Sequence, residues 1–274
     1  MKPNLRITIL GCGSSGGVPR VGGDWGVCDP NEPKNRRTRC SILVEQWLGE
    51  GGNTPDNCTT VLIDSAPDLR EQLLKTGTKR LDAVLYTHDH ADQVHGLDDL
   101  RALAYRMRKR IPAYMDKPTK DNVFNRFGYC FEVPEGRVHP PILELQPLIT
   151  DGDKVNIDGP GGNIAFDVLG LSHGPTPSLG FYINDRVVYT PDVHDIMPNV
   201  LSRIHRPDYW IIDTLRYLEN PTHAHADKAL SWLAQTQTKH GIFTNMHIDM
   251  DYATLRSELC SGQEVSYDGM TLTL

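Results

Sequence analysis

The segment 87–96 constrains this chain more than any other, because it places three histidines and two aspartates directly after the apolar run 83–86. A strand that ends near Thr87 opens into a tight turn, where the alternate side chains of His88 and His90 can bind one ion and Asp92 can reach a neighbouring ion. Imidazole and carboxylate groups suit Zn²⁺, Mn²⁺ or Fe²⁺, and the segment lacks the thiolates of closed structural zinc sites. The segment therefore predicts an open metal site.

This segment resembles the His-x-His-x-Asp-His signature of the metallo-β-lactamase superfamily, except that Gln93 stands where the family usually has a histidine ligand. The family's later ligands are a histidine after a middle strand, a bridging aspartate and a final histidine. The resemblance assigns these positions to His173, Asp192 and His247, and each follows a β-branched or aromatic run that reads as a strand. Because loops at strand ends can converge on one cleft, we expect a single site.

The resemblance implies that this site holds two divalent ions, zinc or manganese. The two ions would share a water molecule and would lie close to each other. The first ion would bind His88, His90 and His173. The second ion would bind Asp92 and His247, and Asp192 would bridge the two ions.

Gln93 weakens the expected second position, because a neutral amide oxygen is a poorer ligand for Zn²⁺ than imidazole, and harder ions such as Mn²⁺ tolerate oxygen ligands better. We therefore expect an asymmetric centre with a weak second ion. In one alternative, His95 or His194 supplies the missing ligand of the second ion. In the other, both histidines lie on the surface or hold the metal ligands in place without binding an ion. Asp64, after the run 60–63, matches the superfamily's early aspartate, which hydrogen-bonds the metal-binding turn without touching the metal.

A narrower resemblance runs from the glycine-rich segment 10–19 to the closing segment 267–270. It is to the cyclic-phosphodiesterase branch of the superfamily, which includes the phosphoribosyl cyclic phosphate hydrolase and is close to tRNase Z. This implies hydrolysis of a small cyclic phosphate or nucleotide-like phosphodiester by a metal-activated water, with Asp92 in the catalytic set. Relatives place a proton-donating histidine ahead of a late helix. His223 matches that position, with His225 as the reserve.

Two alternative functions use the same residues. A metal-activated water also attacks carbonyl carbon, so a thioester or lactone hydrolase on the same metals is the rival enzyme. A catalytically impaired nucleotide-binding module, in which Gln93 marks the loss of the second ion, is the rival outside enzymes. The letters Gly-x-Gly-x-x-Gly at 11–16 do not indicate a dinucleotide fold, because Val18 and Pro19 stop the helix that should receive the pyrophosphate.

Hydrophobic periodicity predicts alternating strands and helices along the whole chain. Strands are expected near 5–10, 40–48, 59–64, 82–87, 111–115, 163–171, 178–184, 186–191, 208–213 and 240–246, and helices near 67–76, 96–107, 118–129, 197–205, 226–238 and 252–260. Together with the resemblance, this predicts an α/β fold of the αββα type, a four-layer metallo-β-lactamase-like sandwich in one domain over 1–274. A doubly wound parallel sheet reads similarly, and only the ordered ligand set separates the two folds.

Composition narrows the class of partner. The formal net charge of −7 argues against binding duplex nucleic acid through a broad basic surface, and leaves a small phosphate-containing substrate. The basic clusters at 36–39 and 101–110 read as solvated faces, with phosphate steering as the alternative. Six scattered cysteines and an N-terminus without an apolar segment predict a reduced cytoplasm. No run is long enough to span a bilayer, and a homodimer is a further expectation.

Overall fold

The computed structural model describes residues 3–50, 52, 54–133, 135–136 and 138–274. Within these residues the strands form two sheets of seven strands each. The first sheet consists, in spatial order, of β14 (Thr271–Thr273), β1 (Pro3–Gly11), β2 (Ser41–Leu48), β3 (Cys58–Ile63), β4 (Ala83–Leu85), β5 (Ile111–Tyr114) and β6 (Leu143–Leu145). The second consists of β13 (Gln263–Val265), β12 (His240–Thr244), β11 (Tyr209–Asp213), β10 (Val187–Thr190), β9 (Thr176–Ile183), β8 (Ile164–His173) and β7 (Lys154–Ile157).

The two sheets pack face to face, and alternation along each strand decides which layer a side chain joins. Along β2, Ile42 and Val44 enter the core between the sheets, whereas Leu43 enters a second core beneath the helices. Successive side chains of a strand point to opposite faces, so a continuous aliphatic run serves both cores at once. Phe166 and Phe181 of the second sheet add an edge-to-face ring contact to the core between the sheets.

Helices cover the outer faces of the sheets: α1 (Leu69–Thr76), α2 (Ala91–Val94), α3 (Arg101–Met107), α4 (Lys117–Phe127), α5 (Pro198–Leu201), α6 (Ala226–Gln235) and α7 (Tyr252–Glu258). Leu69 of α1 and Val123 of α4 pack beneath the first sheet, and Trp232 of α6 packs with the buried strands of the second. The four-layer αββα sandwich predicted from the sequence is confirmed. Among the residues that the structure describes, none of these helices has the length and apolar character needed to cross a membrane.

The observed elements differ from the expected ones mainly at the sheet edges. The strands β6, β7, β13 and β14 were not predicted, because they are short and, unlike the equally short β4, have polar residues within the run. The helix expected near 197–205 is a single turn, α5, since Arg203 and Ile204 continue it with tighter hydrogen bonds to residues three positions earlier. The helix expected near 96–107 likewise begins as a 3-10 helix at Leu97–Leu100 before α3.

Parallel pairing brings the candidate functional residues to one edge of the sandwich. In the second sheet β10, β11 and β12 run parallel, and in the first sheet β3 and β4 run parallel. Parallel strands have their carboxyl ends at the same edge of a sheet. The residues at these ends are Asp192, Asp213 and Asn245 in the second sheet and Asp64 and Thr87 in the first.

The glycine-rich loop after β1 connects the two sheets near this edge. The N–H of Ser14 donates to the carbonyl of Met246 (3.2 Å), and the N–H of Met246 donates to the carbonyl of Cys12 (2.9 Å). Asp268, just before β14, accepts hydrogen bonds from the N–H and Oγ1 of Thr38 (2.7 and 2.6 Å) and from the N–H of Cys12 (3.2 Å). Asp268 therefore holds the start of this loop against the segment that leads into β2.

Replacing Asp268 with Ala should destabilise the protein, because three part-buried donors lose their acceptor. The expected loss in free energy of unfolding is about 3 kcal/mol or more, since each of the three donors left unsatisfied costs about 1–3 kcal/mol. Urea denaturation measures this loss. Asp121→Ala is the matched control, since Asp121 makes an exposed ion pair with Lys117 that should contribute little. Equal losses in the two variants would contradict the role given to Asp268.

Candidate metal centre

Three imidazoles meet at the strand ends. The ring centroids of His88 and His90 lie 4.5 Å apart, and each lies 5.1 Å from that of His173. One ligand nitrogen from each ring lies within 4.8 Å of the other two. His88 and His173 are buried, whereas His90 is exposed to the cleft. Three imidazole nitrogens that converge in this way form the tripod that a tetrahedral divalent ion requires.

A buried hydrogen-bonded chain fixes the orientation of His88. Asp64, with a φ of 62°, accepts hydrogen bonds from the backbone N–H of Thr87 (2.8 Å) and from its Oγ1 (2.9 Å). Because the hydroxyl proton goes to Asp64, Oγ1 of Thr87 accepts from Nδ1 of His88 at 3.0 Å. Nε2 of His88 is then left buried with no hydrogen-bond partner in the described part of the chain. A buried unpaired nitrogen on a fixed ring indicates a ligand position.

A backbone carbonyl orients His173 in a similar way. Nδ1 of His173 donates to the carbonyl of Thr222 at 2.6 Å, which leaves Nε2 facing the tripod, 3.3 Å from Nδ1 of His90. Burial, reinforced by the neighbouring His223, lowers the pKa of His173 to about 4. Burial also holds the pKa of His88 well below its ordinary value. Both rings are therefore neutral at physiological pH, which is the form that binds metal.

Buried carboxyl groups lie beside the imidazoles. Oδ1 of Asp192 is 4.0 Å from Nε2 of His173, and His173, Asp192 and His223 form a second group of ligand atoms within 4.8 Å of one another. Burial raises the pKa of Asp192 well above its ordinary value, and burial also raises the pKa of Asp213. A buried carboxylate is stabilised by a neighbouring cation. The tripod together with Asp192 therefore fits one divalent ion such as zinc.

His223, on the loop before α6, is held by Asp213. Nδ1 of His223 donates to Oδ2 of Asp213 at 2.9 Å, and Asp213 also accepts from the N–H of Val193 (3.0 Å) and from the Asn245 amide (3.2 Å). Burial opposes protonation of the ring, but the carboxylates of Asp213 and Asp192 outweigh it and raise the pKa of His223 to about 9. A fixed, protonated imidazole beside the metal ligands is a candidate proton donor.

The remaining expected ligands lie around a cleft of about 400 Å³. Asp92 and His247 line this cleft, as do Arg20 and Arg216. Nε2 of His247 accepts a hydrogen bond from the Arg20 guanidinium. Nδ1 of His247 is buried and lies 2.8 Å from Oδ2 of Asp249, although it makes no hydrogen bond with the residues described. His247 therefore belongs to the cleft, but its ring nitrogens face protein groups and do not join either of the ligand groups described above.

Gln93 turns its amide toward Asp192, with Nε2 donating to Oδ2 at 2.8 Å. Three other histidines from the sequence analysis are outside the cleft lining within the described residues: His95, His194 and His225. His95 packs its ring 5.7 Å from that of Phe127, and the other two line a neighbouring cavity. The basic clusters at 36–39 and 101–110 also lie outside this lining, so the arginines of the cleft come from elsewhere in the sequence.

Several residues that the structure brings to the site were not predicted from the sequence, among them Asp213, Asn245, Arg20 and Arg216. Asp213 ends an apolar strand, which is the same signal that singles out Asp192 after β10, so the sequence carried the information. Arg20 contacts a residue 227 positions away, and no local pattern predicts such a contact.

The comparisons with known proteins agree with this geometry. A family model described as "Beta-lactamase superfamily domain" matches residues 59–248. An octanoyltransferase of Porphyromonas gingivalis (strain ATCC BAA-308 / W83) is 30% identical over 247 residues, which are 88% of this chain and 46% of that protein. The chain spans between about a third and about half of the length of the curated relatives that it matches.

Two solved structures are similar over nearly their whole length. A diphosphatase from the PhnP family has a TM-score of 0.85 at 29% identity, with 100% of this chain and 98% of that chain covered. Zn(2+)-bound PqqB from Methylobacterium extorquens has a TM-score of 0.71 at 18% identity, with 98% and 100% covered, which shows the shared fold. Since the family model covers more than half of its residues, the chain belongs to the β-lactamase superfamily and has the metallo-β-lactamase fold of that superfamily's metal-binding hydrolases.

Proposed function

We propose that this protein is a metal-dependent phosphodiesterase that hydrolyses a small cyclic phosphate or a nucleotide-like phosphodiester. The observation that carries the proposal is the position of His223, whose ring centroid lies 4.6 Å from that of the metal-ligand candidate His173. Phosphodiester hydrolysis requires a charge-stabilising cation and a proton donor for the leaving oxygen in one cleft. The likeness to a diphosphatase over the whole chain supports the phosphoryl class of substrate.

The residues that would hold the catalytic ion are the histidine tripod and Asp192. A divalent ion bound there acidifies water and neutralises charge on the phosphoryl oxygens. The imidazole-rich donor set favours zinc, whereas manganese suits positions with more oxygen ligands. The second ion expected from the sequence would need Asp92, Gln93 and His247, and the proposed activity does not depend on it.

His223 supplies the proton to the leaving oxygen in this proposal. Its Nδ1 is bound to Asp213, so Nε2 is the atom available to the cleft. Asp213 is fully buried and is held by Val193 and Asn245, which keeps the imidazole in one orientation. Such a carboxylate–imidazole pair is the usual arrangement for a histidine that transfers protons.

The rest of the cleft suits a small anion. Arg20 and Arg216 provide guanidinium groups, and Ser14 and Ser15 provide hydroxyls. Guanidinium groups form strong paired hydrogen bonds with phosphate oxygens. A cleft of about 400 Å³ matches a small phosphate ester better than a folded nucleic acid. The homodimer and the cytoplasmic location expected from the sequence stay predictions.

Substrate class is the first test of this proposal. Zinc-loaded protein should hydrolyse bis(p-nitrophenyl) phosphate with a kcat/KM at least about 10²-fold above that for a lactone or a thioester, a preference of about 2.7 kcal/mol in activation free energy. A preference for either carbonyl substrate would favour the acyl hydrolase. Nucleotide binding without turnover on any of the three would favour the impaired binding module.

Removing one imidazole of the tripod should remove the ion. His90→Ala is expected to lose bound zinc and to lower hydrolysis by about 10²-fold or more, since even groups that only support metal ligands are worth about 10–100-fold. Metal analysis and phosphodiester assays measure the two effects. His95→Ala is the matched control, because this exposed histidine lies outside the cleft lining. Full zinc content in His90→Ala would contradict the ligand assignment.

The proton donor can be tested by varying the leaving group. His223→Ala should lose about 10²–10⁴-fold on an ester with a poor alkyl leaving group, and far less on p-nitrophenolate, which departs without protonation. His225→Ala is the matched control from the same loop, since His225 lines the neighbouring cavity. Equal losses on both esters in His223→Ala would mean that His223 positions the phosphate only. If His225→Ala, and not His223→Ala, lost far more activity on the alkyl ester than on the p-nitrophenyl ester, His225 would be the proton donor.

A further inference from the structure

The cleft-side nitrogen of His247 already has a protein partner. Nδ1 lies 2.8 Å from Oδ2 of Asp249 but makes no hydrogen bond among the residues described, whereas Nε2 is the ring nitrogen that meets the cleft residue Arg20. That atom accepts a hydrogen bond from the guanidinium of Arg20. Arg20 carries a permanent positive charge, and a cation bound to the same lone pair would have to displace it.

The contacts of Gln93 point the same way. A histidine at this position would offer a lone pair, but Nε2 of Gln93 donates a proton to Oδ2 of Asp192 at 2.8 Å. Oε1 of Gln93 is buried with no partner among the residues described, so it is the amide atom left for a cation. A neutral amide oxygen is a weak ligand for zinc compared with imidazole. The groups at Asp92, Gln93 and His247 therefore do not fit a second zinc ion.

We propose that Arg20 supplies the positive charge in place of the second ion, so that the protein binds one catalytic ion and contacts a phosphoryl oxygen of its substrate through Arg20. The substrate contact rests on the proposed function, whereas the number of ions does not. A guanidinium offers planar N–H donors that match phosphate oxygens. Preorganised donors of this kind stabilise the charge that develops during phosphoryl transfer.

The glycine-rich loop holds Arg20 in the required position. The N–H of Arg20 donates to the carbonyl of Asp24 (2.9 Å), and the carbonyl of Arg20 accepts from the N–H of Gly23 (2.9 Å), which closes a tight turn. A Cβ atom at Gly16 would lie 3.2 Å from both Cγ and Nε of Arg20. Glycine at position 16 therefore leaves the space along which the arginine side chain reaches His247.

Metal stoichiometry tests the replacement of the ion. Protein loaded with excess zinc chloride and dialysed should retain about one equivalent of zinc by mass spectrometry, and Arg20→Ala should retain the same amount. Combining Gln93→His with Arg20→Ala adds an imidazole and frees Nε2 of His247. This double variant should retain about two equivalents. Arg36→Ala is the matched control, because Arg36 is exposed and stacks on Trp25 at 5.7 Å.

Activity tests the contact with substrate. Arg20→Ala should lower kcat/KM for bis(p-nitrophenyl) phosphate by about 10²–10³-fold, the loss typical of removing one preorganised donor. Arg36→Ala should leave it unchanged. Arg20→Lys keeps the charge but loses the planar donors, so it should recover part of the activity. Circular dichroism melting of each variant separates these effects from unfolding.

The outcomes separate the two proposals. Two equivalents of zinc retained by the unsubstituted protein would overturn the inference, and so would full activity of folded Arg20→Ala on this ester. One equivalent of zinc together with no hydrolysis of any phosphodiester would refute the proposed function alone. In that case the gain of a second equivalent in the double variant would still support the replacement of the ion by Arg20.

Discussion

The buried chain from Asp64 through Thr87 to His88 is the interaction on which the rest of the site depends. Asp64 reaches Thr87 because its backbone turns left-handed at the end of β3, where its N–H donates to the carbonyl of Leu85 at 2.9 Å. Aspartate is one of the few residues that tolerate this conformation. Since Asp64, Thr87 and His88 have no exposed surface, water cannot replace any of these hydrogen bonds. The direction of the His88 ring is therefore fixed by the fold before any ion binds.

The same turn also positions α2. The N–H of Ser65 donates to the carbonyl of Gln93 (2.7 Å), and its carbonyl accepts from the N–H of Gly96 (2.9 Å). A Cβ atom at Gly96 would lie 2.0 Å from the carbonyl oxygen of Ala66, so only glycine fits there. Asp92 and Gln93 are thus held on a short helix that is pinned at its end to the loop after β3. This explains how a helix of four residues is stable in the site.

The sequence predicted the parts of this protein that local patterns determine. The strands of the two sheet centres have long apolar runs, and the ordered histidines and aspartates follow them at recognisable positions. The short edge strands could not be predicted, because β6, β13 and β14 have three residues each and depend on pairing with a neighbour. The orientation of Gln93 toward Asp192 and the contact of Arg20 with His247 depend on side chains 99 and 227 positions apart. Such contacts are set by tertiary packing, which periodicity and motifs do not describe.

The loop before α6 both orients the metal-ligand candidate His173 and carries the candidate acid His223. Oδ1 of Asn220 accepts from the N–H and the hydroxyl of Thr222 (2.9 and 3.0 Å) and from the N–H of His223 (3.2 Å), so one side chain shapes the whole turn. The carbonyl of Thr222 holds the His173 ring, and the next residue is the candidate acid. In the proposed mechanism, a change in this turn would therefore alter metal affinity and leaving-group preference together. A homologue whose loop was remodelled to accept a substrate with a bulkier leaving group would need another acceptor, elsewhere in the fold, for Nδ1 of His173.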